Sequence, residues 1–171
     1  MLEPLPHDAP ASERASRYAE IRTRLAHLLE GEDDWVAAMA TVAGELHHAF
    51  AWFHWTGFYR VRGADLLILG PYQGGHGCLR IPFDKGVCGA AARTRETQLV
   101  PDVERFPGHI ACSSTTRSEI VVPVVTPDGR LLAVLDVDSD VPAGFTEVDR
   151  LELEALAADL GVRFGGFGGK G

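Results

Sequence analysis

The hydrophobic pattern of the chain changes near residue 50, from a helical repeat to short strand-like runs. In residues 13–30 apolar side chains recur at steps of three and four, and residues 34–49 carry a second stripe of the same kind. Asp33 or Asp34 is placed to cap the second helix. Beyond residue 50 the apolar runs are short and are separated by Gly, Pro and Asp, which is typical of strands joined by turns. The chain must therefore combine helices with a sheet.

The strand-like segments are followed by further helical signals. Strands are predicted over residues 53–61, 66–69, 79–81, 98–100, 119–126 and 131–138. The turn sequence Pro127-Asp128-Gly129 joins the last two into a hairpin. Helices are predicted over residues 87–94 and 146–164, and Thr146 with Asp149 can form a capping box at the start of the second. The predicted fold class is α+β, with helices packed on a central antiparallel sheet.

The length of 171 residues suits one domain rather than two. We expect that domain to span residues 13–164, between a flexible leader at residues 1–12 and a disordered Gly-rich tail at residues 165–171. Residues 103–118 show no sustained repeat, so they form a long loop. Loops of that length in compact domains usually carry function.

The formal net charge of −8 bears on the partners of the chain. Lys and Arg are not concentrated in one segment, and a negative chain repels nucleic acid and anionic membranes, so neither is an expected partner. No apolar stretch is long enough for a transmembrane helix. The N-terminus lacks the basic flank and apolar core of a signal peptide, and we therefore expect a cytoplasmic protein.

Three cysteines are the strongest chemical signal in the sequence. Cys112 lies in the long loop, three residues after His109, where a thiol can ionise and act as a nucleophile. Cys88 opens a predicted helix, whose amide groups can stabilise a thiolate, and Cys78 lies in a Gly-rich loop that suits a resolving thiol. The alternative is that some of these residues are inert core side chains, since free Cys is often buried.

A zinc site is a second alternative. His76, Cys78, His109 and Cys112 could supply four ligands. However, the spacings are H-x-C and H-x-x-C, whereas structural zinc sites usually contain closely spaced pairs of cysteines. We therefore favour thiol chemistry and predict no metal and no cofactor.

Three carboxylates and two aromatic residues complete the candidate site. Asp136 and Asp138 are two apart on one strand, so they point to the same face, and Glu119 begins the partner strand. Carboxylates clustered in a partly apolar cleft cannot all stay ionised, so at least one can donate a proton near neutral pH. Trp55 and Tyr59 share one face of another strand and could form an aromatic wall, against which sulfur packs well. The alternatives are a solvated strand end and ordinary core aromatics.

Several of these segments together resemble the free methionine-(R)-sulfoxide reductases, single-domain enzymes of the GAF fold. The matching stretches run from about Tyr18 to the final helix, and the most specific is Pro107-Gly108-His109-Ile110-Ala111-Cys112 in combination with all three cysteines. Other matching stretches are Trp55-Thr56-Gly57-Phe58-Tyr59, Arg80-Ile81-Pro82-Phe83, Lys85-Gly86-Val87-Cys88-Gly89 and Val134-Leu135-Asp136-Val137-Asp138-Ser139. Two departures are Ser113, where the family commonly has Asp, and Asp84, where it usually has a small residue.

The resemblance implies a role for each candidate. Cys112 would be the catalytic thiol, Cys78 the main resolving thiol and Cys88 an auxiliary one. The pocket for substrate would be lined by Trp55, Tyr59, Ile110, Ala111, Glu119, Asp136 and Asp138. The implied reaction is reduction of free methionine (R)-sulfoxide through a sulfenic acid and a disulfide, recycled by thioredoxin. A homodimer through the N-terminal helices is also implied. The rival function is a GAF-type module that binds a small ligand without turning it over.

Overall fold

The computed structural model describes residues 3–110 and 112–166. Within these residues the helices are α1 (Ala11–Leu28), α2 (Trp35–Ala49), α3 (Gly86–Thr94) and α4 (Glu147–Phe164). The strands are β1 (Trp55–Arg62), β2 (Leu66–Gln73), β3 (Arg80–Pro82), β4 (Gln98–Val100), β5 (Ser118–Val125) and β6 (Leu131–Ser139). A 3-10 turn covers Val103–Arg105. The elements match the predicted order and, apart from β2, differ from the predicted bounds by only one or two residues.

The predicted caps are present at two helices. Asp34 accepts hydrogen bonds from the backbone amides of Val36 and Ala37 at the start of α2. Thr146 and Asp149 form the capping box of α4. Both satisfy amide groups that have no partner within a helix, so local sequence sets where these two helices begin.

One antiparallel sheet contains all six strands of the described chain, in the order β3-β2-β1-β6-β5-β4. The central strands β1, β6 and β5 pair over most of their length. Their register places Gly57 opposite Asp136, and Glu119 opposite Asp138. The predicted α+β fold is therefore confirmed.

The two faces of the sheet carry separate apolar clusters. On one face Phe58, Ile120 and Leu135 pack beneath α1, α2 and α4. On the other face Trp55 and Tyr59 belong to a second cluster that includes residues of α3. Side chains alternate between the two faces along a strand. Every second residue counted from Trp55 on β1 therefore points to the second face, and so does every second residue counted from Asp136 on β6. This alternation positions the candidate site on the α3 face.

Strand β2 is longer than predicted, since it continues past Leu69 to Gln73. The prediction stopped where Gly70 and Pro71 interrupt the apolar run. In the structure the register shifts opposite this point, between Gly57 and Tyr59. A bulge tolerates proline, whose missing amide would otherwise break the ladder.

Residues 3–10, part of the predicted flexible leader, contact the rest of the domain in the structure. Leu5 is buried at 8% exposure, and its backbone exchanges hydrogen bonds with Ala49 and Ala51. The guanidinium of Arg14 also binds the His7 and Ala9 carbonyls. The buried Leu5 side chain and the Arg14 guanidinium therefore hold residues 3–10 against the domain, although the prolines of this segment indicated a loosely structured chain. Of the predicted tail, Gly165 and Gly166 form a turn and the rest lies outside the described residues.

None of the helices in the described part of the chain has the length and apolar character needed to cross a bilayer.

Candidate active site

A disulfide joins Cys78 to Cys112, with their Cα atoms 5.4 Å apart. Cys78 lies just before β3, and Cys112 lies in the loop that leads to β5. The bond therefore ties two segments, 34 positions apart, across one edge of the α3 face. The structure brings together the two thiols to which the resemblance gave the catalytic and resolving roles.

Cys88, in the first turn of α3, is buried and unbridged. Its thiol donates a hydrogen bond to Asp136 Oδ2 at 3.3 Å. Burial, followed by the charge of Asp136, raises the pKa of the Cys88 thiol. The expectation that the helix start stabilises a thiolate is therefore wrong, because burial and neighbouring acids outweigh the helix amides. Cys88 is a protonated donor.

The three predicted carboxyl groups meet on the α3 face. Burial raises the pKa of Asp136 to about 7, although the hydrogen bond from Cys88 acts in the opposite direction. Burial also raises the pKa of Glu119 and of Asp138, and the charge of Asp136 raises both further. No Lys or Arg is among the cavity residues that the structure describes. The site can therefore hold at least one protonated carboxyl near neutral pH.

His109 contacts this acidic group. Its Nε2 lies 3.8 Å from Glu119 Oε2. Burial lowers the pKa of His109, so the imidazole is neutral at physiological pH. His109 was noted from sequence only as a neighbour of Cys112, and the contact with Glu119 could not be inferred from spacing.

An aromatic wall lies beside the acids on the same face of the sheet, since Trp55 pairs with Asp138. Trp55 stacks on Tyr59 at a centroid distance of 5.7 Å and on Tyr72 at 5.3 Å. Gly57 makes this stack possible, because a Cβ there would lie 2.7 Å from the Trp55 ring. Tyr72 was not among the predicted site residues. Its pairing with Gly57 across β1 and β2 would have indicated that it belongs to the aromatic wall.

Two buried polar atoms at the site have no hydrogen-bond partner among the described residues. They are the donor Trp55 Nε1 and the acceptor Asp136 Oδ1. Leaving such groups unpaired costs about 1 to 3 kcal/mol each, so a polar ligand that pairs with them would gain affinity.

These residues enclose a cavity of about 40 Å³. The predicted residues that line it are Trp55, Tyr59, Cys88, Ile110, Cys112, Glu119, Asp136 and Asp138. Ile110 packs over Gly86, whose positive φ of 66° suits glycine. Ala111, also predicted to bind substrate, lies outside the described residues.

The disulfide bears on the zinc alternative. Cys78 and Cys112, two of its four proposed ligands, are bonded to each other and cannot ligate as thiolates in this state. A different set, Cys88, Glu119 and Asp136, brings donor atoms within 4.8 Å of one another. Cys88 and Asp136 already satisfy each other by their hydrogen bond.

The comparisons with known proteins agree with this fold and site. A family model described as GAF domain matches residues 30–163. The free methionine-R-sulfoxide reductase of Saccharomyces cerevisiae is 46% identical over 136 residues, which are 76% of this chain and 76% of that protein. The enzyme of the same name from Escherichia coli is 39% identical over 143 residues, 84% of this chain and 86% of that protein.

A solved structure gives the same result in three dimensions. It is the free methionine-R-sulfoxide reductase of Neisseria meningitidis in complex with its substrate, which superposes with a TM-score of 0.83 at 48% identity. The match covers 88% of this chain and 90% of that one. Together with the fold, these matches place the chain among the GAF-domain proteins. Within that class it belongs to the family of free methionine-R-sulfoxide reductases and is an oxidoreductase.

Proposed function

We propose that this chain reduces free L-methionine (R)-sulfoxide to methionine, with Cys112 as the nucleophile. The observation that carries the proposal is the position of Cys112 on the wall of a cavity that also holds Glu119, Asp136 and Asp138. Reduction of a sulfoxide needs a thiolate and a proton donor at the same place. The relatives that carry this activity in their names support the choice of substrate.

The unpartnered polar atoms support an amino-acid ligand. A free methionine sulfoxide carries an oxygen that can accept hydrogen bonds from Trp55 Nε1 and from a protonated Asp136 Oδ1. The buried carboxyls offset the charge of its ammonium group, which a peptide-bound methionine lacks. The aromatic wall of Trp55 and Tyr59 packs against the sulfur and its methyl group.

The first step is oxygen transfer. Asp136 donates a proton to the sulfoxide oxygen, because its pKa of about 7 suits proton donation near neutral pH. The Cys112 thiolate attacks the sulfoxide sulfur and bonds to it. The oxygen then passes from that sulfur to Cys112 as the bond between the two sulfurs breaks, and methionine leaves. Cys112 takes the oxygen and becomes a sulfenic acid, so the substrate gains the two electrons that the thiol loses.

The second step forms the disulfide present in the structure. The Cys78 thiol attacks the Cys112 sulfenic acid and releases water. An external dithiol, which we propose to be thioredoxin, then exchanges with the disulfide and restores both thiols. The homodimer and the cytoplasmic location also remain predictions.

The test is turnover of resolved free methionine sulfoxide epimers by reduced protein and a thioredoxin system. We expect activity on the (R) epimer and its loss in Cys112→Ser. Cys78→Ser should keep a single-turnover burst and lose recycling. An active Cys112→Ser variant would contradict the role of that sulfur, and equal activity on both epimers would contradict the substrate.

Thiol counting gives an independent measurement. One equivalent of methionine sulfoxide should remove two thiols from the reduced protein, whereas a module that only binds its ligand would lose none. A loss that persists in Cys112→Ser would place the chemistry elsewhere.

A further inference from the structure

We propose that the external dithiol attacks Cys78, not Cys112, and that it docks on the exposed surface around Leu79. This inference rests on the proposed function, because it concerns how the same disulfide is reduced. It adds which sulfur is the electrophile and where on the molecule the reductant binds.

The two sulfurs face different surroundings. Among the described residues, the wall of the cavity includes Cys112 but not Cys78. A thiolate attacks a disulfide along the S–S line, from the side opposite to the sulfur that leaves. Attack on Cys112 therefore needs access through the cavity that this residue lines. Cys78 is half-buried beside the apolar cluster of Trp55 and Tyr59, and its chain neighbour Leu79 is exposed, so its sulfur is approached from the surface around Leu79.

The size of the cavity separates these two approaches. Its volume of about 40 Å³ has room for only a few water molecules, at about 10 to 15 Å³ for each. The reactive thiol of another protein, with the loop that carries it, cannot enter such a space. Gly77 also closes that side, because its backbone lies so near Trp55 and Tyr59 that a Cβ would be 3.0 Å from either side chain.

The surface next to Cys78 suits a docking protein. Leu79 follows Cys78 directly and is 74% exposed, more than any other exposed large apolar side chain in the described chain. Its carbonyl accepts a hydrogen bond from the Leu69 amide, so the backbone is held while the side chain faces solvent. Apolar side chains beside a reactive group are typical anchors of protein interfaces.

The edge of the sheet extends this surface. Leu79 leads into β3, the terminal strand of the sheet, on which Arg80 and Pro82 are exposed. No further strand of the described chain pairs with the free edge of β3, which borders the surface around Leu79. The occupant to which these features point is a dithiol oxidoreductase, since the disulfide itself lies at the border of the surface.

Reduction of the disulfide takes two successive thiol–disulfide displacements. A thiolate of the reductant bonds to Cys78 Sγ, the Cys78–Cys112 bond breaks, and Cys112 leaves as a thiolate into the cavity. The second thiol of the reductant then attacks its own sulfur in the mixed disulfide and releases Cys78. The reductant becomes a disulfide, and both cysteines return to thiols. The leaving sulfur is the one that must be a thiolate for the next turnover.

The test of the attacked sulfur uses the oxidised protein and a thioredoxin whose second active-site Cys is replaced by Ser. This variant stops at the mixed disulfide, which peptide mapping by mass spectrometry locates. We expect the link at Cys78. A link at Cys112, or no mixed disulfide, overturns the inference. The oxidised protein is prepared with a chemical oxidant, so the result does not depend on methionine sulfoxide turnover.

The docking surface is tested by Leu79→Asp with Leu151→Asp as the matched control, since Leu151 is 55% exposed on α4. Leu79→Asp should lower kcat/KM for thioredoxin by about tenfold, as loss of an apolar anchor does. The rate with the small dithiol dithiothreitol should stay unchanged, because that reductant needs no docking surface. Equal thioredoxin rates in the two variants, or equal loss with both reductants, overturns the surface at Leu79.

Discussion

Asp136 lies among the buried polar groups of the cavity, and its two oxygens have different surroundings. Oδ2 accepts from the Cys88 thiol, whereas Oδ1 has no partner in the part of the chain that is described. Burial raises the pKa of Asp136 to about 7, although its hydrogen bonds with Cys88 and Glu119 act in the opposite direction. A single side chain can thus accept from Cys88 at one oxygen and carry an acidic proton at the other.

The first prediction concerns the pH dependence of turnover. Because Asp136 must hold a proton to donate it, and its pKa is about 7, the rate of the chemical step should fall as the pH rises through about 7. Asp136→Asn should lower this rate by about a hundredfold or more and remove the fall, since an amide does not titrate. Single-turnover rates across pH measure both effects.

Asp65→Asn is the control for this prediction, because Asp65 is exposed in the turn between β1 and β2. It should keep the profile of the original protein. An Asp136→Asn profile that still falls near neutral pH would assign the proton to Glu119 or Asp138 instead.

The register of the strands brings together side chains that lie far apart in the sequence. The pairing of β5 with β6 brings Glu119 opposite Asp138, and α3 brings Cys88 to Asp136. On β1, Gly57 lies between Trp55 and Tyr59 and faces Tyr72 of β2. Because Gly57 has no side chain, the rings of Trp55 and Tyr59 can stack on each other across its position.

The second prediction is that Gly57→Ala destabilises the sheet and disturbs the aromatic wall. A Cβ at Gly57 would lie 2.4 Å from Tyr72 Cβ and 2.7 Å from the Trp55 ring, so the strands must shift. We expect a loss of about 1 to 3 kcal/mol in the free energy of unfolding, with a raised KM for methionine sulfoxide. Chemical denaturation and steady-state kinetics measure these changes.

Gly44→Ala is the matched control, since Gly44 lies in α2 and an added Cβ there meets nothing within 4 Å. This change should be neutral or stabilising by up to about 1 kcal/mol, because Ala favours helix. Equal stability of the Gly57 and Gly44 variants would show that the close contacts at Gly57 relax without cost.

For the whole molecule, a buried cation connects distant parts of the chain. Arg14 of α1 is 5% exposed, and it bonds to the Gly144 carbonyl and to Asp149 at the start of α4. Its guanidinium also lies 4.3 Å from the centre of the Trp52 ring. The same carboxylate of Asp149 accepts from Tyr18 and caps its own helix. The N-terminal segment, α1 and α4 are therefore joined at one ion pair.

The third prediction is that Arg14→Ala lowers the free energy of unfolding by about 3 to 5 kcal/mol, because it leaves Asp149 buried without its cation. Arg22→Ala, which removes a partly exposed pair with Glu152, should cost less than about 1 kcal/mol. Denaturant titration of both variants measures the difference. Similar losses in the two would mean that Asp149 keeps enough partners without Arg14.

The sequence predicted much of this organisation, because periodicity and capping are local. The stripes of α1 and α2, the cap at Asp34 and the turn at Pro127-Asp128-Gly129 depend only on neighbours in the chain. The partners of Arg14, the contact of His109 with Glu119 and the contribution of Tyr72 depend on segments that meet only after folding. The family resemblance implied the pairing of Cys78 with Cys112, whereas the spacing of the cysteines alone does not predict it.

The small cavity behind the disulfide has a consequence for the order of events in the proposed cycle. A space with room for only a few water molecules is too small for methionine sulfoxide or methionine while Cys78 and Cys112 are joined. Each molecule of enzyme must then be re-reduced before it can engage another substrate, and released methionine cannot compete for the oxidised form. Throughput in a cell would follow the supply of reducing equivalents, and accumulated product would not inhibit the resting oxidised enzyme.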